Sequence, residues 1–216
     1  MAVIGIDQSL TGTGVAEIDH DGKLIRRELL KIGKSKSVER LKLICDQIVV
    51  FCQQVNGRFV VAREGYSFGS RGRATFSLGE LGGCIDLTLF TASLTGMVSY
   101  YVIPPTVVKK FCFGSGSVKK DSAYLLSVYN KFRIEFPDDN QADAFMIAKT
   151  VLGMLRGREK GDSKYFESLT LPQKEALVSS VLGKKGSGVT KAVLKKIDSD
   201  LFANTVAEVL EGYKVF

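Results

Sequence analysis

The sequence predicts a mixed-sheet α/β domain followed by a helical extension, and three observations carry that expectation. Three short apolar strands separated by tight turns come first. Segments of strand period and helix period then alternate, without the strict repetition of a doubly wound sheet. Beyond Arg156 only a polar linker and helical patterns remain. The domain spans residues 1–155 and the extension residues 156–216. A chain of 216 residues, 45% hydrophobic and 25% charged, suits one domain with an appendage better than two full domains.

The elements follow in order. Residues 3–6 read as a first strand and residues 14–18 as a second, and Asp21-Gly22 turns the chain into a third over residues 24–29. From Val38, apolar residues recur at Leu41, Ile44, Cys45, Ile48, Val49 and Cys52, one face of a helix. The continuous apolar run 59–62 has the pattern of a strand buried on both sides. A glycine-rich loop, "GSRGR", leads into a helix that runs through Leu89, and residues 97–103 form the next strand. After Pro104-Pro105, Thr106 is placed to cap a short helix containing Val107, Val108 and Phe111. A "GSGS" loop precedes a helix over residues 123–129. Another helix starts near Asp138, with Ala142, Phe145, Met146, Ala148, Val151 and Leu152 on its inner side. In the extension, "RGREKGDSK" reads as linker and residues 172–182 and 190–210 as two helices.

No uninterrupted apolar run is long enough to span a bilayer, and no charged segment precedes the first apolar stretch, so neither a membrane partner nor a signal peptide is expected. Cys45, Cys52, Cys84 and Cys112 form no metal-type pair and lie in apolar segments, which reads as buried thiols of a reducing, cytoplasmic setting. His20, in "DHDGK", is a solvated turn residue rather than a catalytic base. Thirty Lys and Arg against 23 Asp and Glu give a net charge of +7, compatible with a polyanionic partner. Much of the excess sits in short basic clusters beside glycine and serine.

Acidic residues stand at telling places. Asp7 ends the first strand, Glu64 ends the buried run "RFVVARE", and Asp139 and Asp143 occupy the first turns of an apolar helix. Residues four apart share a helix face, so Asp139 and Asp143 point at one place, as do Asn140 and Asp143. Each has a plain structural reading alone: a solvated strand end, a helix-dipole partner, a turn carboxylate. Together they read as one site. Carboxylates about 4 Å apart repel by about 4 kcal/mol at an effective dielectric near 20, so such a cluster needs protons or a cation. Hard oxygen donors without histidine or thiolate suit Mg²⁺, with Mn²⁺ as a substitute. Paired ions of this kind cleave phosphodiesters.

Four segments, "GIDQSLTGTG", "REGYSFGSRGRATFSLGELGG", "VVKKFCFGSGSVKKDS" and "DDNQADAFMIAK", resemble in order and spacing the RuvC-type Holliday junction resolvases, most of all phage-encoded members. The likeness covers roughly residues 1–155. It implies an RNase H-like mixed β-sheet flanked by helices and a homodimer that nicks opposing strands of a four-way DNA junction with divalent metal. It implies Asp7, Glu64 and Asp143 as metal ligands. Where the family commonly has a further acidic ligand, three residues before Asp143, this chain has Asn140, and Asp139 is the candidate substitute. Lys109 and Lys120 match the family's two lysines beside the scissile phosphate, with Lys110 and Lys119 as neighbours one place off. The family's aromatic that enters the junction falls at Ser67 here, between Tyr66 and Phe68, and Arg71 and Arg73 are expected on backbone phosphates. Outside the resemblance, Lys184, Lys185, Lys191 and Lys195 are candidates to extend that surface into the tail. A phage-encoded member would act in the host cytoplasm.

Three other readings share parts of this pattern. A flap or branched-DNA endonuclease would use the same site, and a non-catalytic junction binder would explain Asn140. Actin-like and sugar-kinase ATPases open with the same strand and hydroxyl-rich turn, but they need a second such domain, for which the residues after 155 are too few.

Overall fold

The computed structural model describes residues 1–33, 35, 37–65, 73–182, 194 and 197–216, with the backbone alone at 73–75 and 179–182. Strands β1 (Ala2–Asp7), β2 (Thr13–Ile18) and β3 (Leu24–Leu30) form the meander. Then come α1 (Ser37–Gln53), β4 (Phe59–Glu64), α2 (Arg73–Thr91), β5 (Met97–Ile103), α3 (Pro105–Phe113), α4 (Tyr124–Phe132) and α5 (Asp139–Gly157). The extension adds α6 (Ser163–Ser168), α7 (Leu171–Leu182) and α8 (Ser199–Tyr213).

The sheet order is β3-β2-β1-β4-β5. β1 pairs antiparallel with β2 and parallel with β4, and β4 pairs parallel with β5. This is the expected mixed sheet. Alternation along each strand divides the core in two. Val3, Ala16, Val60, Ala62 and Tyr101 face α5 and the helices around it, whereas Ile4, Ile6, Val15, Val61 and Tyr100 face α1 and α2. β1, β2 and β4 are buried almost throughout, and the half-exposed β3 carries the charged edge. There Arg26 pairs with Glu17 at 2.6 Å and lies 3.8 Å from the centre of the Phe51 ring.

Two glycines set how closely α5 lies on the sheet. A Cβ on Gly5 would overlap the Ala144 carbonyl oxygen and stand 2.8 Å from the Ala148 nitrogen. A Cβ on Gly14 would overlap the Asn140 carbonyl, with the Gln141 nitrogen 2.9 Å away. These two positions let the α5 backbone rest on β1 and β2 with no side chain between.

The expected cap at Thr106 is corrected. Pro104 is the N-cap of α3 and Pro105 takes the first helical position, where its fixed φ and missing N–H cost nothing, so Thr106 falls inside the helix. The expected helix over 190–210 also differs. Residues 190–193, 195 and 196 lie outside the described residues; Leu194 is helical, residues 197–198 are not, and α8 starts at Ser199, because the Asp198 side chain accepts from the Leu201 N–H at 2.8 Å. The "RGREKGDSK" segment, read as linker, contains the end of α5 and the start of α6, which Asp162 caps by accepting from Tyr165 N–H at 2.9 Å.

The extension belongs to the same hydrophobic body as the sheet. Leu177, Phe202, Val206 and Leu210 join Phe145, Val151 and Met154 in one cluster. Val215 and Phe216 return to the free side of β5: Val215 N–H donates to Tyr100 O at 2.8 Å, and Tyr100 N–H donates to Phe216 O at 3.1 Å. The four cysteines are free, with Cys45, Cys52 and Cys112 buried. Among the described residues, no helix is long and apolar enough to cross a membrane.

Gly5→Ala is expected to destabilise the chain by about 1–3 kcal/mol through overpacking, and to lower the melting temperature by roughly 2–4 °C per kcal/mol. Gly83→Ala is the control: nothing lies within 4 Å of its added Cβ, and in a helix the change should be neutral or stabilise by up to about 1 kcal/mol. Thermal denaturation followed by circular dichroism reads both.

Candidate active site

The parallel register of β1 and β4 pairs Ile6 with Arg63, so one step further Asp7 and Glu64 stand side by side at the carboxyl ends of the strands. Strand alternation sends both toward α5. Asp7 continues the line of Val3 and Gly5, and Glu64 that of Val60 and Ala62. Asp7 is also the cross-strand partner of Gly14, the residue on which the first turn of α5 rests. One turn further along α5, Asp143 is brought over the same strand end, 7% exposed like Asp7. Tight backbone packing thus delivers the third carboxylate to the first two.

The start of α5 is built for this. Asp138 is its N-cap and accepts from the Gln141 N–H at 2.9 Å, which leaves Asp139 free for other work. Asp139 accepts from Lys120 Nζ at 3.2 Å. The same ammonium pairs with Asp143, so Lys120 bridges the two carboxylates. The Tyr124 hydroxyl, from the buried face of α4, donates to Asp143 Oδ1. Asn140 is placed differently, its amide nitrogen 3.6 Å from where a Cβ on Gly12 would stand.

The electrostatics register crowding. Burial pushes the Asp7 carboxyl well above its ordinary range, and Asp143 and Glu64 push it further, against the pull of Lys120. Burial and the Asp143 charge raise Glu64 from 4.5 to about 7, with Lys120 and Lys109 pulling the other way. Burial raises Asp143, although Lys120 and the Tyr124 hydroxyl hold it back. Burial acts to lower Lys120, but Asp143 and Asp7 outweigh it and keep the ammonium charged. These groups sense one another, and the pocket is short of positive charge.

The donor set fits a hard divalent cation. Its donors are carboxylate oxygens, and His20, the chain's one histidine, lies in the β2–β3 turn at the far end of β1. Among the described residues, the trio whose ligand atoms lie within 4.8 Å of one another is Asp19, His20 and Asp21. That trio is a solvated turn: Asp19 Oδ1 accepts from the Asp21 and Lys23 N–H groups, and His20 pairs with Asp21 at 3.1 Å. The Asp7, Glu64 and Asp143 oxygens stand wider apart, with the Lys120 ammonium against Asp143.

Of the remaining expected residues, Lys109 acts electrostatically on Glu64, and Lys119 is exposed. Lys110 turns to the extension, paired at 2.7 Å with the buried Glu175 of α7. Tyr66, Phe68, Arg71, Lys184, Lys185, Lys191 and Lys195 lie outside the described residues, as does the side chain of Arg73 at the start of α2. The hydroxyl-rich turn after Asp7 is used to close itself: Thr13 Oγ1 donates to Ser9 O at 2.8 Å and accepts from Ser9 N–H at 3.2 Å. Tyr124 is the residue that sequence reasoning missed. Its signal was a phenol on the buried face of a helix, where the hydroxyl needs a partner.

The sequence matches no family model. It matches no curated protein. In three dimensions the chain superposes on the structure of Thermus thermophilus RuvC with a TM-score of 0.58, over 73% of this chain and 97% of that one, at 23% identity. The chain has the RuvC fold. A structure of T. thermophilus RuvC in complex with Holliday junction substrate aligns with a TM-score of 0.56, over 73% of this chain and 96% of that one, at 20% identity. The RuvC fold accounts for the five-stranded mixed sheet with α5 lying across β1 and β2.

The raised Glu64 makes a pH prediction. Its folded value lies above its ordinary 4.5, so the neutral form favours the folded state below about 4.5, and that contribution is lost as pH rises through about 7. The full shift corresponds to about 3 kcal/mol. In EDTA the wild type should therefore melt lower at pH 8 than at pH 6, and Glu64→Gln should flatten that slope. Equal slopes in the two proteins would contradict the crowding of charge.

Proposed function

We propose that the chain is a metal-dependent, structure-selective DNA endonuclease that resolves four-way junctions by paired nicks and works as a homodimer in the cytoplasm. The observation that carries this reading is the meeting of Asp7 and Glu64, at the ends of neighbouring parallel strands, with Asp143 of α5 on the RuvC fold. The Holliday junction bound in the similar T. thermophilus complex supports branched DNA as the partner.

Asp7, Glu64 and Asp143 would hold Mg²⁺, which Mn²⁺ can replace. Asp139 is the better fourth donor, because it shares the Lys120 ammonium with Asp143 while the Asn140 amide lies beside Gly12. When bound at these carboxylates, such an ion would supply Lewis-acid activation of water and stabilisation of the leaving oxygen. Tyr124, by donating to one oxygen of Asp143, fixes which way the other points. Lys120 and Lys109 bring positive charge to the reacting phosphate, where it offsets the charge that develops as water attacks. Tyr66 or Phe68 stacks on bases opened at the junction, and Arg71, Arg73 and Lys119 meet backbone phosphates. Lys110, engaged with Glu175, has a structural role instead. A two-fold junction calls for a two-fold protein. The outer face of α2, with Leu87 and Phe90 more than 60% exposed while Leu81, Ile85 and Leu89 cover the sheet, is the surface for the second copy.

The test is a labelled four-way junction incubated with protein and Mg²⁺, with nicks mapped strand by strand and flap and linear DNA alongside. Asp7→Asn, Glu64→Gln and Asp143→Asn should each reduce nicking by about 100-fold or more, as loss of a metal ligand does. Junction binding should persist in all three and weaken steeply with salt. Asp139→Asn should cut more slowly than Asn140→Ala. Binding by the parent without any nicking would mark an inert junction binder.

A further inference from the structure

The face of the sheet away from α5 buries a cation that the mechanism above leaves unused. Arg63, the residue before Glu64, is 3% exposed and lies between β4 and α2. Its guanidinium grips Asp86 of α2 with two parallel bonds, Nε to Oδ1 and NH2 to Oδ2, each 2.8 Å. Its NH1 donates to the backbone carbonyl of Glu64 at 3.0 Å. Tyr100 of β5 braces the pair, its hydroxyl donating to Asp86 Oδ1 at 2.6 Å, and its ring packs against Phe216 with centroids 5.4 Å apart.

A buried ion pair is poor evidence of stabilisation, since a well-packed apolar pair often does as well. What this one supplies is direction. Strand β4 ends at Glu64, which pairs with Ile103 of β5 and lies one residue past the last β1 pair, Ile6 with Arg63. The peptide there is held on both sides: Gly65 N–H donates to Ile103 O at 2.8 Å, and the Glu64 carbonyl accepts from Arg63. The fork geometry of arginine makes both grips at once, on a helix carboxylate and on a strand carbonyl. Because neighbouring residues of a strand point to opposite faces, anchoring Arg63 below the sheet sets how Glu64 rises above it.

We infer that Arg63 and Asp86 are positioning residues: their pair, braced by Tyr100, fixes the main chain at Glu64 and so aims its carboxylate at a divalent cation. The inference rests on Glu64 as a metal ligand. The pair also ties α2 directly to the end of β4.

The experiment measures Mn²⁺ affinity of the DNA-free protein by titration with electron paramagnetic resonance, and kcat and KM for junction nicking. Three variants are compared with the parent. Arg63→Lys keeps a charge near Asp86 but loses the fork; Arg63→Met with Asp86→Leu replaces the pair by apolar side chains; Glu64→Gln is the ligand control. In the first two, Mn²⁺ affinity and kcat should each fall about 10-fold, while KM stays within about twofold. A purely structural role would lower the melting temperature and leave Mn²⁺ affinity at the parent value. Weak Mn²⁺ binding by Glu64→Gln together with parent-like binding by folded Arg63→Lys overturns the positioning role alone. Parent-like binding by Glu64→Gln overturns the ligand reading and this inference with it. If the double variant does not fold, Arg63→Lys decides.

Discussion

How closely α5 lies on β1 and β2 governs everything at the strand ends. The helix backbone touches the sheet at Gly5 and Gly14, where a methyl group would overlap a main-chain carbonyl. A helix on a sheet is normally kept off by interlocking side chains, and its polar residues then reach solvent around the edge. Removing two side chains brings the first turns of α5 down onto the strand carrying Asp7, and Asp143 becomes buried beside it. The approach is fixed by hard contact, so the distance between helix and strand carboxylates does not depend on the charges themselves.

Those charges oppose the arrangement. Burial raises Asp7, Glu64 and Asp143 alike; Asp143 and Glu64 push Asp7 further, and Asp143 pushes Glu64. The chain answers from within by laying the Lys120 ammonium across Asp139 and Asp143 and the Tyr124 hydroxyl on Asp143. Packing on both faces of the sheet keeps the repelling groups in place: α5 holds Asp143 from above, and the Arg63–Asp86 pair grips the end of β4 from below. Repulsion among buried carboxylates is relieved by protons or by a cation.

Much of this was legible in the residues. Period-two and period-3.6 patterns located the strands to within two residues and several helices nearly as well, and the acidic positions were read from strand ends and the i, i+4 rule. What escaped was chemistry that competes locally. Thr106 looked like a cap until Pro105 took the position a proline fills best. Asp198 starts α8 well inside a pattern that reads as one helix, and Asp162 starts a helix inside a polar stretch. Lys110 and Lys119 were indistinguishable by sequence, and only tertiary packing decides that one finds Glu175 and the other solvent. For Tyr124 the sequence marks only a buried phenol, because the group it bonds lies on another helix.

The strand-like return of Val215 and Phe216 covers the free side of β5. The hydrogen-bonding groups of Tyr100 that a foreign strand would seek are already occupied. At the opposite margin, β3 presents Arg26, Arg27 and Glu28. Charged or covered margins discourage neighbouring molecules from extending one another's sheets, the route by which open α/β layers aggregate. A partner would therefore be met by helical surfaces, where side-chain shape rather than backbone pairing selects the companion.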